Sequence, residues 1–281
     1  MSITIFTATG CTRCKIVKEY MDCNGIRYLE KDMKAGGKDD FQFFYKENRS
    51  LIYRGAQGIE FPIITDGKEI RQGIGASIAF LKSGSALDGF FSVGTLRKEW
   101  VDGIHISSGS ADQIDDFIAV LKYLKQSKLS LFVETNGKNS KILEQVNSQK
   151  LADAVVMKIL GSEEIYKKLD PSIEIADIKK SMALVAQMEN HKFEITIFPI
   201  IRDNGEISYM TPEEVGEAAK FLEEGTGSKK NTLIIKAIDP QEATMSEYKA
   251  LEPLLTNDLF VYRTKARKYQ VFADIDKSNK V

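Results

Sequence analysis

Two cysteines three apart, Cys11 and Cys14, stand where a short apolar run ends and an amphipathic stretch begins. Ile3-Thr4-Ile5-Phe6 reads as a buried strand, and Cys11 to about Asp22 reads as a helix carrying Ile16, Val17 and Tyr20 on one stripe. At a helix start, unpaired N–H groups and the positive dipole end stabilise a thiolate on Cys11, and Arg13 and Lys15 add nearby positive charge. The same spacing closes a small disulfide ring or supplies half of a zinc site. Zinc needs two further ligands, and the chain offers only Cys23, His105 and His191, widely scattered. The expectation is therefore a redox or thiol role for Cys11 and Cys14, with no metal.

A chain of 281 residues is long for one domain and comfortable for two. Its net charge of -1 argues against nucleic acid as a partner. No apolar run reaches the ~18 residues of a membrane span, and no basic-then-apolar leader opens the chain. A cytoplasmic location without a membrane partner is expected. Thiols there are kept reduced, which favours a working dithiol over a structural bridge.

Residues 1–82 read as one α/β unit. After the first helix, Asn24-Gly25 precedes an alternating strand over Ile26–Glu30. Lys34 to Asn48 carries Phe41, Phe44 and Tyr45 at helical spacing, and the stretch around 34–58 is expected to cover one face. Gly58 to Ile70 reads as two antiparallel strands joined by an Asp66-Gly67 turn, and Gly73-Ile74-Gly75-Ala76 opens a closing helix through Leu81. Cys23 reads as a small core residue.

This order of strand, C-x-x-C, helix, strand, helix, Phe-Pro-Ile, hairpin and Gly-rich turn resembles a glutaredoxin. The resemblance implies a thioredoxin-like fold, Cys11 as nucleophile and Cys14 as resolving thiol. It also implies a substrate-binding set of Arg13, Phe61, Pro62, Gly73 and Gly75, with Pro62 in cis and the Phe61 backbone pairing with a bound thiol peptide. Three features depart from the family. Thr12-Arg13 fills the C-x-x-C without an aromatic residue, and Ala8 replaces a basic residue. The Gly-Gly-x-Asp stretch that holds the glycine end of glutathione is Gly73-Ile74-Gly75-Ala76-Ser77. Glutathione and a thioredoxin-reductase-like donor both stay open as reductants, and the expected client is a protein disulfide.

Ser83 to Gly89 reads as a flexible linker. Beyond it strands alternate with helices. The strands are 103–107, 129–135, 154–159, 193–201 and 232–238, and the helices 113–126, 140–149, 163–169, 175–188 and 212–224. Such alternation predicts a parallel sheet with crossover helices, too few for a closed eightfold barrel. The expected fold is α/β: a thioredoxin-like (glutaredoxin) domain over 1–84, a linker over 85–100, and a partial parallel (β/α) barrel of about five βα units over 101–281.

Residues 101–107, 133–137, 153–158 and 192–199 resemble segments of radical SAM activating enzymes, those of anaerobic ribonucleotide reductase and pyruvate formate-lyase. The resemblance runs from about 101 to 225. The family's cluster needs three cysteines, and none follows Cys23. Its Gly-Gly-Glu-Pro stretch is Ser108-Gly109-Ser110-Ala111, and its usual fifth-strand Arg is Ile195. No [4Fe–4S] cluster or SAM chemistry is expected. Glu134, Asn136 and Lys158 stand at strand ends, where they either line a pocket or form a turn and a solvated lysine.

His105, Trp100 and Tyr209 read as core residues, Arg263 to Lys268 as a solvated terminal element, and Asp274–Val281 as a frayed tail. The functional expectation is a dithiol oxidoreductase whose barrel positions it on a client. The alternatives are an iron–sulfur or metal carrier and a ligand sensor built on the barrel.

Overall fold

A computed structural model describes residues 2–55, 58–94, 97, 99–107, 109, 111–242 and 245–276. The chain is mixed α/β and divides by its internal contacts into two compact units. One comprises Met1–Val133 with Gln145–Asp153, the other Glu134–Glu144 with Ala154–Val281. Among the described residues, no helix is long and apolar enough to cross a membrane.

The first unit opens with β1 (Ile3–Thr7), α1 (Thr12–Cys23), β2 (Tyr28–Asp32) and α2 (Lys38–Glu47). A short pair follows, β3 (Arg54–Gly55) and β4 (Gly58–Ile59), then β5 (Ile63–Thr65), β6 (Ile70–Gln72) and α3 (Ile74–Ser83). Four of these strands form a sheet in the order β2-β1-β5-β6. β1 runs parallel to β2 and antiparallel to β5, which turns back as β6. The Asp66-Gly67 turn works as its residues require. Gly67 takes a φ of 92°, and the Asp66 carboxylate accepts the Lys68 and Glu69 N–H groups at 2.9 and 2.8 Å. Strand alternation sends Phe6 and Ile63 to one face, where Phe41 and Ile52 close a buried cluster over them. Ile5 and Ile64, partners in register, are fully buried on the other.

The same unit continues through a 3₁₀ turn at Gly84–Leu87 that buries Leu87, and Phe90 stacks on Phe117 at 4.5 Å. Next come β7 (Trp100–His105), α4 (Ile114–Gln126) and β8 (Ser130–Thr135). α4 buries Phe117, Leu121 and Leu124 at helical spacing.

The second unit holds most of the remaining elements. They are the first half of α5 (Ser140–Ser148), whose residues from Gln145 on belong to the first unit, and β9 (Ala154–Ile159), α6 (Glu163–Leu169), α7 (Ile175–Ala186), β10 (His191–Ile197), β11 (Pro199–Ile201) and β12 (Ile207–Tyr209). α8 (Pro212–Thr226), β13 (Leu233–Ala237), α9 (Leu259–Ala266) and β14 (Ala273–Ile275) complete it. Phe193, Ile195 and Ile197 are fully buried on β10, parallel to β9 and β13. α8 starts on a capping box: Thr211 and Glu214 each bind the other's backbone N–H, and Pro212 takes the first turn, where no N–H is needed. Gly227 ends it in the left-handed region.

Six strands make one parallel sheet in the order β14-β13-β10-β9-β8-β7. Chain neighbours are sheet neighbours throughout, with the β11–β12 hairpin standing outside.

Several expectations need correction. The start of the expected tail is a strand, because Ala273–Ile275 pairs with β13 as a sixth strand and buries Ala273 and Ile275, while residues 277–281 lie outside the described residues. The strand expected over 193–201 breaks before Pro199, whose ring nitrogen has no hydrogen to donate, and residues 199–201 pair with β12 instead. Cys23 is exposed although it shares a helix face with Ile16, because it is the last residue of α1 and the Asn24-Gly25 turn that follows is exposed as well. Trp100, His105 and Tyr209 are half-buried, each with a polar end in use or a cation beside it. Arg97 lies over the Trp100 ring, Ser92 meets His105 Nε2 at 2.8 Å, and the Tyr209 hydroxyl donates to the Glu252 carbonyl. The basic run near the C-terminus is tied down, with Arg263 paired to Asp274 and Lys265 to Glu213. Ser108 and Ser110 lie outside the described residues.

Candidate functional site

The chain leaves β1 at Thr7, turns through Gly10 at a φ of 79°, and enters α1 with Cys11 as its N-cap residue. Cys11 donates its N–H to the Ala8 carbonyl at 3.0 Å, which fixes the turn. Its Sγ accepts the Cys14 N–H at 3.1 Å, a sulfur in the place usually filled by a Ser or Asp oxygen. Cys11 and Cys14 are joined as a disulfide across Cα atoms 5.3 Å apart. The two sulfurs differ in access: Cys11 is half-buried, and Cys14 is 2% exposed.

The Phe61–Pro62 peptide bond is cis, and the Phe61 carbonyl oxygen lies 3.9 Å from the Cys11 sulfur. Pro62 is buried and its carbonyl accepts the Gly73 N–H at 2.9 Å, linking this loop to the start of α3. Gly73 adopts a φ of 87°, and a Cβ there would sit 3.3 Å from a Glu60 carboxylate oxygen. Gly75 answers to packing: a Cβ there would come within 2.7 Å of the Phe91 ring.

Arg13 lies between the cysteines in sequence but turns away from them in charge. Its guanidinium pairs with the buried carboxylate of Glu60 and also donates to the carbonyls of Arg97 and Trp100, at 3.0 and 2.7 Å. Burial pushes the Glu60 carboxyl above its ordinary range, and Arg13 draws it partly back. The other cations near the thiols are also matched, Lys15 with Glu19 and Lys18 with Glu30. Asp32 takes hydrogen bonds from the Thr9 hydroxyl at 2.7 Å and the Lys34 N–H at 2.8 Å, which hold its carboxyl below the usual range.

Two depressions flank the disulfide. One, of about 450 Å³, is lined by Ala8, Thr12, Ile59, Phe61 and Leu129, with the exposed Arg97 and Glu99. The other, of about 300 Å³, is polar and includes Thr7, Lys18, Glu30 and Asp32.

The three residues expected at strand ends in the second unit take different duties. Glu134 and Lys158 form an ion pair on adjacent strands. Asn136 belongs to the turn after β8, its side chain accepting the Lys138 N–H and its carbonyl accepting the buried Tyr166 hydroxyl, each at 3.2 Å. Lys158 faces Glu194 in register, and Glu194 pairs with Lys236 at 2.6 Å. One sheet face thus carries alternating charges across Glu134, Lys158, Glu194 and Lys236.

Sequence reasoning missed Glu60 and Glu194. Glu60 directly precedes Phe61-Pro62, and an acid beside an apolar Phe-Pro-Ile-Ile run was the available signal. Glu194 likewise interrupts an apolar strand at the position opposite Lys158. Comparison of the chain with models of known protein families, with curated proteins and with solved structures finds no significant match to any of them.

Proposed function

We propose that this chain is a thiol–disulfide oxidoreductase whose working dithiol is Cys11 and Cys14, on a thioredoxin-like N-terminal region. The carrying observation is the asymmetry at one helix start. Cys11 sits at the N-cap with the Cys14 N–H directed at its sulfur, and Cys14 is buried behind it. An N–H and a helix dipole aimed at one accessible sulfur favour its thiolate. The strand order β2-β1-β5-β6, with C-x-x-C after the first strand and a cis-proline loop against the sulfur, supports the same reading.

In the reaction, the Cys11 thiolate attacks one sulfur of a client disulfide. A mixed disulfide forms, and the client's other cysteine leaves as a thiolate. Cys14, losing its proton to solvent, attacks Cys11 Sγ, and the second client cysteine leaves as a thiolate. Two electrons pass to the client, and the Cys11–Cys14 disulfide is then reduced by an external thiol. In this reading the parallel sheet of the second half is a partial (β/α) barrel that positions the dithiol on its client.

Reduction of insulin by dithiothreitol, followed by turbidity, tests the proposal. The chain should accelerate it, Cys11→Ser should abolish the acceleration, and Cys14→Ser should trap a mixed disulfide on Cys11. Loss of activity in Cys14→Ser with retention in Cys11→Ser would overturn the assignment.

A further inference from the structure

Resting on that reading, we propose that the cavity beside Cys11 is a subsite for a bulky apolar side chain next to the target cysteine of a protein client. Its walls do not come from residues 1–82 alone. Ala8, Ile59 and Phe61 supply one part, and Leu129, with the exposed Arg97 and Glu99, supplies the rest. The subsite is therefore peculiar to a chain in which the C-x-x-C region is packed against the segments leading into β7 and β8. That packing is specific, since Arg13 donates to the carbonyls of both Arg97 and Trp100.

Charge selects the occupant. A small anionic thiol such as glutathione, with two carboxylates, needs uncommitted cations beside the sulfur. Here Arg13, Lys15 and Lys18 are each matched by Glu60, Glu19 and Glu30. Arg97 and Glu99 have opposite signs and leave the cavity neutral. A neutral apolar cavity of about 450 Å³ next to a reactive sulfur rewards burial of apolar surface instead. An extended client segment laid along the Phe61–Pro62 loop would present its cysteine to Cys11 and its neighbouring side chain to this cavity.

The test uses the full chain, pre-reduced and freed of reductant. Peptides carrying one cysteine as its mixed disulfide with 5-thio-2-nitrobenzoate are supplied, identical except for Phe, Leu, Ala or Asp beside the cysteine. The corresponding glutathione adduct is included, and single-turnover release is read at 412 nm. The Phe and Leu peptides should react at least about tenfold faster than the Ala and Asp peptides and than the glutathione adduct, the scale set by burying one apolar side chain. Ile59→Asp, which puts a charge in the wall, and Thr12→Trp, which fills the cavity from an exposed position, should each bring the Phe-to-Ala ratio near one. The ratio is read within each variant, and each must match wild type in far-ultraviolet circular dichroism and melting temperature, because an unfolded chain loses the preference too. Thr12→Trp, at an exposed position outside the buried core, serves where Ile59→Asp does not fold. Equal rates for all four peptides, a faster glutathione adduct, or a ratio unmoved by both variants would overturn the subsite while leaving the redox reading intact. Release no faster than from Cys11→Ser with every adduct would sink the redox reading and the subsite with it.

Discussion

Arg13, placed between the two cysteines in sequence, is neutralised by the buried carboxylate of Glu60 beside the cis-proline. Its charge therefore acts as a tie between the start of α1 and the Phe61–Pro62 loop more than as a field on the Cys11 sulfur. Both side chains are largely buried, at 13% and 5% exposure, so breaking the pair leaves an uncompensated charge. Arg13→Ala should cost about 3–5 kcal/mol, the range for removing one partner of a buried pair. Arg13→Met combined with Glu60→Gln should cost clearly less than the sum of the single changes. Urea unfolding of wild type, Arg13→Met, Glu60→Gln and the double variant measures this, and additivity would show that the pair is not coupled.

The same pair gives a pH dependence with a definite sign. Burial raises the Glu60 carboxyl above its ordinary value, and Arg13 opposes the rise. A raised carboxyl favours the protonated form in the fold, so its contribution is full below the unfolded value and is lost as pH climbs through the folded one. Without Arg13 that loss deepens. Arg13→Ala should lie closest to wild type near about pH 4 and fall furthest behind near about pH 7. Urea midpoints across that range check it, and a constant gap would contradict it.

Tyr123 on α4 donates its hydroxyl to the Ile16 carbonyl on α1 at 3.0 Å, and its ring meets Tyr20 edge-on at 4.9 Å. Tyr123→Phe keeps the ring contact and loses the hydrogen bond, for an expected cost of about 1 kcal/mol. Burial also pushes the Tyr123 hydroxyl up to about 12. Its contribution is full below the ordinary tyrosine value of 10.0 and is lost as pH rises toward the folded value. Thermal melts above pH 10 should therefore show a shallower alkaline loss in Tyr123→Phe than in wild type.

Gly75 lies inside a helix, where alanine is ordinarily worth about 0.5–1 kcal/mol more than glycine. Here the added Cβ would meet the Phe91 ring at 2.7 Å, and Phe91 is itself packed on Phe117. Gly75→Ala should destabilise by about 1–3 kcal/mol, the usual cost of overpacking. Phe91→Leu in the same chain should recover part of it. A melting temperature raised by Gly75→Ala alone would refute the packing account.

The fold was most legible where one local rule settles the outcome. The Asp66-Gly67 hairpin, the Thr211-Pro212-Glu213-Glu214 helix start and the apolar strands announce themselves through turn chemistry, capping and periodicity. Strand Ala273–Ile275 was illegible because three residues carry too short a period, and its pairing with β13 is a tertiary fact. Within the candidate site, the cysteine spacing was legible, but the partner of Arg13 was not. Glu60 lies 47 residues away, and only the folded sheet brings the two together. The cavity wall at Leu129 is still more distant in sequence and leaves no local trace.

Cys23 separates the thiols by accessibility. It is exposed and unbridged at the end of α1, whereas Cys11 and Cys14 are consumed in the disulfide. A thiol reagent reacts with the free thiolate and not with a disulfide sulfur held in a ring. Native oxidised protein should therefore take up one maleimide, placed at Cys23 by peptide mass mapping. After gentle reduction, a second label should appear on half-buried Cys11 before any reaches Cys14, whose sulfur lies beneath it at 2% exposure. The order of labelling follows from burial and from the N–H directed at Cys11, so it holds in the folded protein and should vanish in urea. Labelling of Cys14 ahead of Cys11 in the native reduced protein would place the nucleophile on the wrong sulfur.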